Sequence, residues 1–167
     1  PMTEKFYYAT IHRPYNTDTK ERLSYVLNSF NKLDFKVVMT IHPRTKKLIN
    51  SFDLKEDVFK NIQFIAPQSY FSNLTYLYHS EGLITDSGGM QKEAYWLKKK
   101  CVTIRKETEW VETLKDNANS ILFHDLSLIQ FNLNNSECKW DKYLYGDGKC
   151  SSRIVDFIKD KNFDNLP

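Results

Sequence analysis

The stretch LITDSGGMQKEAYW, residues 83–96, runs from four mostly apolar residues into an acid, a serine and two glycines, then into a helix-forming segment carrying Glu93. A strand that enters a helix through a glycine turn is the repeating unit of parallel α/β sheets. The same unit recurs outward from it. Phe6 to Ile11 is a β-prone run that stops at His12, Arg13 and Pro14; Asn16 to Asp18 then offer caps for a helix with Leu23, Val26, Leu27 and Phe30 on one face. KVVMTI (36–41) ends at His42 and Pro43, and NIQFIA (61–66) ends at Pro67. GLIT (82–85), CVTI (101–104) and SILFH (120–124) supply three more short strands, and a final helix is expected over roughly Ser152 to Lys161.

Strands that are apolar on both faces, alternating with helices, predict an α/β fold: a Rossmann-like parallel sheet with helices on both faces. Ligands of such sheets sit at the carboxyl ends of the strands. His12, His42, Pro67, Asp86 to Gly89 and Arg105 are therefore expected on one rim.

The turn at Ser87 is open to several chemistries. A nucleophile elbow needs glycine two residues before and after the serine, and Thr85 stands at the first of these positions. No GK[ST] follows, as a Walker loop requires, and no GxGxxG occurs in the chain. What remains is a helix N-terminus where Ser87, Gly88 and Gly89 bring backbone N–H groups close to an anion such as phosphate. Glu93, one turn into that helix, can accept from paired hydroxyls such as those of a ribose. The competing reading is a tight turn with a solvated Glu93.

The other loops carry similar pairs of readings. His12 is either an acid–base group or a loop hydrogen-bonder, and the Arg13 guanidinium beside it can pair with phosphate. His42 and Arg44, around Pro43, have the same status. Asp86 is expected to hydrogen-bond its turn and cap the following helix rather than catalyse. Arg105, at a strand end, can face an anion, whereas Glu109 and Glu112 read as surface charge. Tyr70, Phe71, Tyr76 and Tyr78 are expected to pack rather than stack on a base.

Composition narrows the classes. With 167 residues, 41% of them hydrophobic, the chain suffices for one core and not two, so a single domain over 1–167 is expected. The 24 basic residues nearly balance 21 acidic ones and are spread along the chain, so charge gives no indication of nucleic acid. No apolar stretch reaches the 18 residues of a membrane span and no leader is read at the start, which makes the cytoplasm the expected location. Cys101, Cys138 and Cys150 lack a CxxC spacing, so neither a disulfide framework nor a zinc site is expected; Cys101 is placed in the core.

Taken together, TIHRPYN (10–16), His42-Pro43, TDSGGMQKEA (85–94), Arg105 with Thr108-Glu109, and YGDGKCSSRI (145–154) resemble, in order and spacing, the non-hydrolysing UDP-N-acetylglucosamine 2-epimerases. The resemblance implies one half of a GT-B fold: the carboxyl-terminal, UDP-binding domain of a two-domain epimerase, without the amino-terminal domain. It implies that Ser87, Gly88 and Gly89 hold the diphosphate and Glu93 the ribose. His12 is implied as the catalytic residue, and Arg13, His42 and Arg105 as UDP or phosphate contacts. The implied reaction inverts C2 by elimination and re-addition of UDP, with neither cofactor nor metal, and serves surface-polysaccharide synthesis. UDP or a UDP-sugar and the amino-terminal half are the implied partners. A second copy of the chain is a candidate partner; nucleic acid and membrane are not expected. Two departures stand out. Asn73 occupies the place of an aromatic that packs on uracil, with Phe71 as its nearest substitute. TEWVE (108–112) replaces the usual TERPE and looks like relatives acting on diacetamido-uronic acid sugars. A GT-B glycosyltransferase donor domain and a non-catalytic UDP-sugar module are the alternative readings.

Overall fold

The computed structural model describes residues 4–115, 117–135 and 138–160. Six strands form one sheet among these residues: β1 Phe6–Thr10, β2 Lys36–Thr40, β3 Ile62–Ile65, β4 Gly82–Thr85, β5 Cys101–Thr103 and β6 Asn119–Ile121. All pair in parallel, in the order β3-β2-β1-β4-β5-β6. The helices are α1 Pro14–Thr17, α2 Lys20–Asn31, α3 Pro43–Ser51, α4 Tyr70–His79, α5 Gly88–Trp96, α6 Ile129–Asn134 and α7 Cys150–Asp160. The predicted Lys161 end of the last helix lies outside the described residues.

The two-residue alternation of each strand sorts the core into two layers. Tyr7, Ala9, Val37, Met39, Ile84 and Val102 point to one face and pack with Leu23, Val26, Leu27 and Phe30 of α2, Ile49 of α3, and Ile129 and Leu133 of α6. Phe6, Tyr8, Val38, Leu83 and Cys101 point to the other face, against Leu77 of α4 and Ala94 of α5. Both faces are thus covered, as the apolar strands required. Gly82 is where α6 comes closest: a Cβ there would stand 2.8 Å from Leu133 Cδ2 and 3.2 Å from the Lys100 carbonyl. Burial pushes the Cys101 thiol up to about 12, so it is an inert core group.

The strand order positions the site. The chain winds outward from β1 through β2 to β3, then returns to lay β4 on the other side of β1. The loops after β1 and β4 are therefore adjacent and depart to opposite faces, and this divergence opens a crevice at the carboxyl ends. Thr10 pairs with Thr85 in the β1–β4 register, and their hydroxyls, 2.7 Å apart, close its floor.

Three local expectations are corrected. Thr19, not Asn16 to Asp18, caps α2, its hydroxyl accepting from Arg22 N at 3.3 Å. Pro14 starts the separate one-turn helix α1, which turns Asn16 and Thr17 inward. The last strand is Asn119–Ile121 and ends before the expected His124. Of the aromatics, Tyr76 packs, stacked on Tyr8 at 5.5 Å, whereas Tyr70, Phe71 and Tyr78 are exposed. Helix α7 is exposed along its length, Ile154 and Ile158 included. No described helix is long and apolar enough to cross a membrane.

Candidate functional site

Asp86 organises the crevice. It is fully buried at the end of β4, and its carboxylate accepts from the backbone N–H of His12 (3.1 Å) and of Arg13 (2.8 Å) and from Asn16 Nδ2 (3.1 Å). It does not cap the helix that follows it, so the expected cap is corrected: the bonds go to the loop after β1. The reason is topological, since that loop lies beside β4 although it is 70 or more residues away in sequence. Asn16 also donates to the Ile104 carbonyl (2.9 Å), tying the ends of β1, β4 and β5 together.

The same carboxylate sets His12. Its Nδ1 lies 3.1 Å from Asp86 Oδ1, so the Nδ1–H tautomer is held and Nε2 is the nitrogen free to take or give a proton. His42 is arranged the other way: Nδ1 accepts from Arg44 N (3.2 Å) at the start of α3, which leaves the proton on Nε2. The two rings are 6.2 Å apart. One ring is therefore a proton acceptor and the other a donor, across a cleft of about 230 Å³ that Thr10, Thr40, Pro67, Gln68, Asn73, Ser87 and Met90 also line.

Helix α5 begins at the cleft. Thr85 Oγ accepts from Ser87 N (2.9 Å) and fixes the turn, while Ser87, at the N-cap, makes no side-chain cap bond. The first-turn N–H groups and the helix dipole consequently present a partial positive charge to the crevice. Gly88 leaves room for the Glu109 carboxylate, the movable end of a side chain that is 44% exposed. A Cβ there would stand 2.3 Å from Glu109 Oε1 and 3.7 Å from Arg105 Nη1. Arg105, with its side chain 15% exposed, lies over the turn in an ion pair with Glu109 at 2.7 Å. At Gly89 a Cβ meets nothing within 4 Å.

Glu93 follows one turn later, partly buried, and desolvation raises its carboxyl above the usual range. A raised carboxyl stabilises the fold below its ordinary value and loses that contribution as pH rises through the raised one. Glu93→Gln is thus expected to melt higher than the parent near pH 8, a difference that shrinks towards about pH 4, while weakening any ligand whose hydroxyls Glu93 accepts. Thermal melts across that range check the first effect and UDP titration the second.

The structure brings His12, His42 and Ser87 onto one cleft and Arg105 onto Gly88. Arg13 joins only through its backbone, and its Nε is buried without a hydrogen-bond partner among the described residues. Arg105 also lines a second hollow, with Tyr15 and Phe123, so the expected single rim has two basins. Asn73 is engaged internally, accepting from the Tyr8 hydroxyl and donating to the Gln68 carbonyl, and does not offer a stacking face. Sequence reasoning gave no role to Trp110, whose indole donates to the Gly88 carbonyl at 2.9 Å, and left Glu109, which pairs with Arg105, between surface charge and a member of the matched motif. Their spacing after Arg105 was the available signal. No metal-type grouping of three or more His, Cys, Asp or Glu occurs among the described residues.

With this geometry in hand, comparison with known proteins is specific: the family model described as UDP-N-acetylglucosamine 2-epimerase matches residues 2–159. The chain belongs to that family. As a UDP-N-acetylglucosamine 2-epimerase family member it is 36% identical over 160 residues to a homologue from Methanococcus maripaludis, covering 93% of this chain and 45% of that protein. It is 38% identical to the UDP-2,3-diacetamido-2,3-dideoxy-D-glucuronate 2-epimerase of Pseudomonas aeruginosa, covering 92% of this chain and 44% of that protein. The Methanocaldococcus jannaschii UDP-GlcNAc 2-epimerase, solved with UDP-GlcNAc and UDP, superposes with a TM-score of 0.83 at 32% identity over 95% of this chain and 46% of that one. This family member therefore spans about half the length of the relatives it matches, and its sheet has the GT-B-like form of their structures.

Proposed function

We propose that this chain is the UDP-binding part of a nucleotide-sugar 2-epimerase. The observation that carries the proposal is the α5 N-terminus, with Gly88 and Gly89 at the strand-order reversal and the Arg105 guanidinium lying over Gly88. A diphosphate fits this chemistry: N–H donors, a helix dipole and a planar cation lie at the turn, where the diphosphate would displace the Glu109 carboxylate that pairs with Arg105. Glu93, one turn further on, is the acceptor for the ribose hydroxyls.

Inversion at C2 then follows without a redox cofactor. Loss of the C2 proton and cleavage of the bond from C1 to the UDP oxygen give a C1=C2 double bond, and the reverse addition returns the proton on the opposite face. Charge develops on the departing diphosphate, where the turn and Arg105 stabilise it. His12, aligned by Asp86, is the proton-carrying group on this side of the cleft. The exposed apolar residues of α7, Ile154 and Ile158 among them, support a partner surface for the remaining half of an enzyme about twice this length. The sugar is UDP-N-acetylglucosamine or a related acetamido sugar, the TEWVE segment favouring the diacetamido-uronic type.

Calorimetry with UDP and proton NMR of UDP-N-acetylglucosamine in D2O test this reading together. Saturable UDP binding with no C2 exchange by the chain alone is expected. Absence of UDP binding would remove the nucleotide assignment, and sustained epimerisation by these 167 residues would remove the division of labour.

A further inference from the structure

The carbonyls of Ser87, the N-cap of α5, and of Gly88, its first residue, are gripped by side chains. Gln91 Nε2 donates to the Ser87 carbonyl (3.2 Å), and Trp110 Nε1 donates to the Gly88 carbonyl (2.9 Å). A trans peptide is planar, with its C=O and N–H pointing in opposite directions. The Ser87 carbonyl shares a peptide with Gly88 N–H, and the Gly88 carbonyl shares one with Gly89 N–H. Holding those two oxygens towards the protein therefore aims the N–H groups of Gly88 and Gly89 outward. Two consecutive glycines are the residues least able to hold such an orientation unaided.

Both grips are themselves anchored. Gln91 Oε1 accepts from Thr108 Oγ (2.6 Å) and from Asn119 Nδ2 (3.0 Å), all three residues being buried. The same Thr108 hydroxyl accepts from Trp110 N (3.1 Å), and Thr113 Oγ donates to the Trp110 carbonyl (2.7 Å). The indole ring is held from outside: Lys92 Nζ lies 4.3 Å from its centroid, and Tyr145 of the tail meets it edge-on at 6.4 Å. One residue thus connects the loop after β5, the tail and the turn.

We infer that Trp110 is a positioning residue of the anion site, its indole N–H aligning the Gly89 N–H for a phosphate oxygen; the inference rests on the turn being a phosphate cradle. Trp110 touches no substrate in this role. Its effect falls on the phosphates alone and leaves the nucleoside unaffected.

The test is titration of the parent chain, Trp110→Phe and Trp110→His with uridine and with UDP, each variant being checked by thermal melt. Phenylalanine keeps a ring against Lys92 and Tyr145 but has no donor. Histidine places Nε2 at the ring position that Nε1 has in indole, so it restores the donor. Loss of one aligned hydrogen bond predicts that Trp110→Phe binds UDP about ten-fold more weakly, with uridine unchanged and Trp110→His recovering most of the loss. Equal weakening of uridine and UDP, or no rescue by histidine, would overturn the positioning role. A parent chain that binds UDP no better than uridine would instead remove the cradle itself, which separates the two failures.

Discussion

Asp86→Ala is expected to destabilise the chain by about 3–5 kcal/mol, a large part of the roughly 5–15 kcal/mol that holds a domain of this size together. The carboxylate is fully buried and accepts from His12 N, Arg13 N and Asn16 Nδ2, while facing His12 Nδ1. Alanine removes the acceptor and leaves those donors inside the protein, each at a desolvation cost of about 1–3 kcal/mol. Asp86→Asn would be little better, since an amide turns a donor towards one of them. The control is Asp18→Ala: Asp18 pairs with Arg44 at the surface, where both side chains are more than 40% exposed, and such pairs are worth about 0–1 kcal/mol. Urea unfolding of the two variants compares them directly. A midpoint for Asp86→Ala as close to the parent as that of Asp18→Ala would show that the buried carboxylate does not tie the loops together.

The same residue shows where sequence reading succeeds and where it stops. The strands were legible because Phe6 to Ala9, Val37 to Met39 and Gly82 to Ile84 are apolar on consecutive positions, which only a sheet covered on both faces can bury. The helix of α2 was legible from the spacing of Leu23, Val26, Leu27 and Phe30, all of which are buried. The glycine turn was legible because its meaning is local: a strand, two residues without side chains and a helix start.

Asp86 was read as structural, and it is, but its partners lie some 70 residues earlier and no local capping rule points to them. Asn16 looked like a helix cap and is a buried cross-link, since only the pairing of β1 with β4 brings it under Asp86. Glu109 and Trp110 sit in a run of charged residues that looks solvated, and the return of the chain after β5 lays them on the α5 N-terminus. Local signals gave the elements, whereas strand order decided which polar residues meet.

Gly89→Asp is the second large effect, and it separates folding from binding. A Cβ at Gly89 has nothing within 4 Å, so the substitution is accommodated without displacing a neighbour. An acid in the first turn of a helix is favourable by about 0.3–1 kcal/mol, so the melting temperature is expected to hold or rise slightly. The same carboxylate occupies the place assigned to a phosphate oxygen. Two unit charges about 4 Å apart at an effective dielectric constant near 20 repel by about 4 kcal/mol, roughly a thousand-fold in affinity.

Calorimetric titration of the parent and of Gly89→Asp with UDP, alongside their thermal melts, tests the central claim most directly. The account predicts saturable binding by the parent and none measurable by an equally stable variant; a well-folded Gly89→Asp chain that binds UDP as the parent does would contradict it.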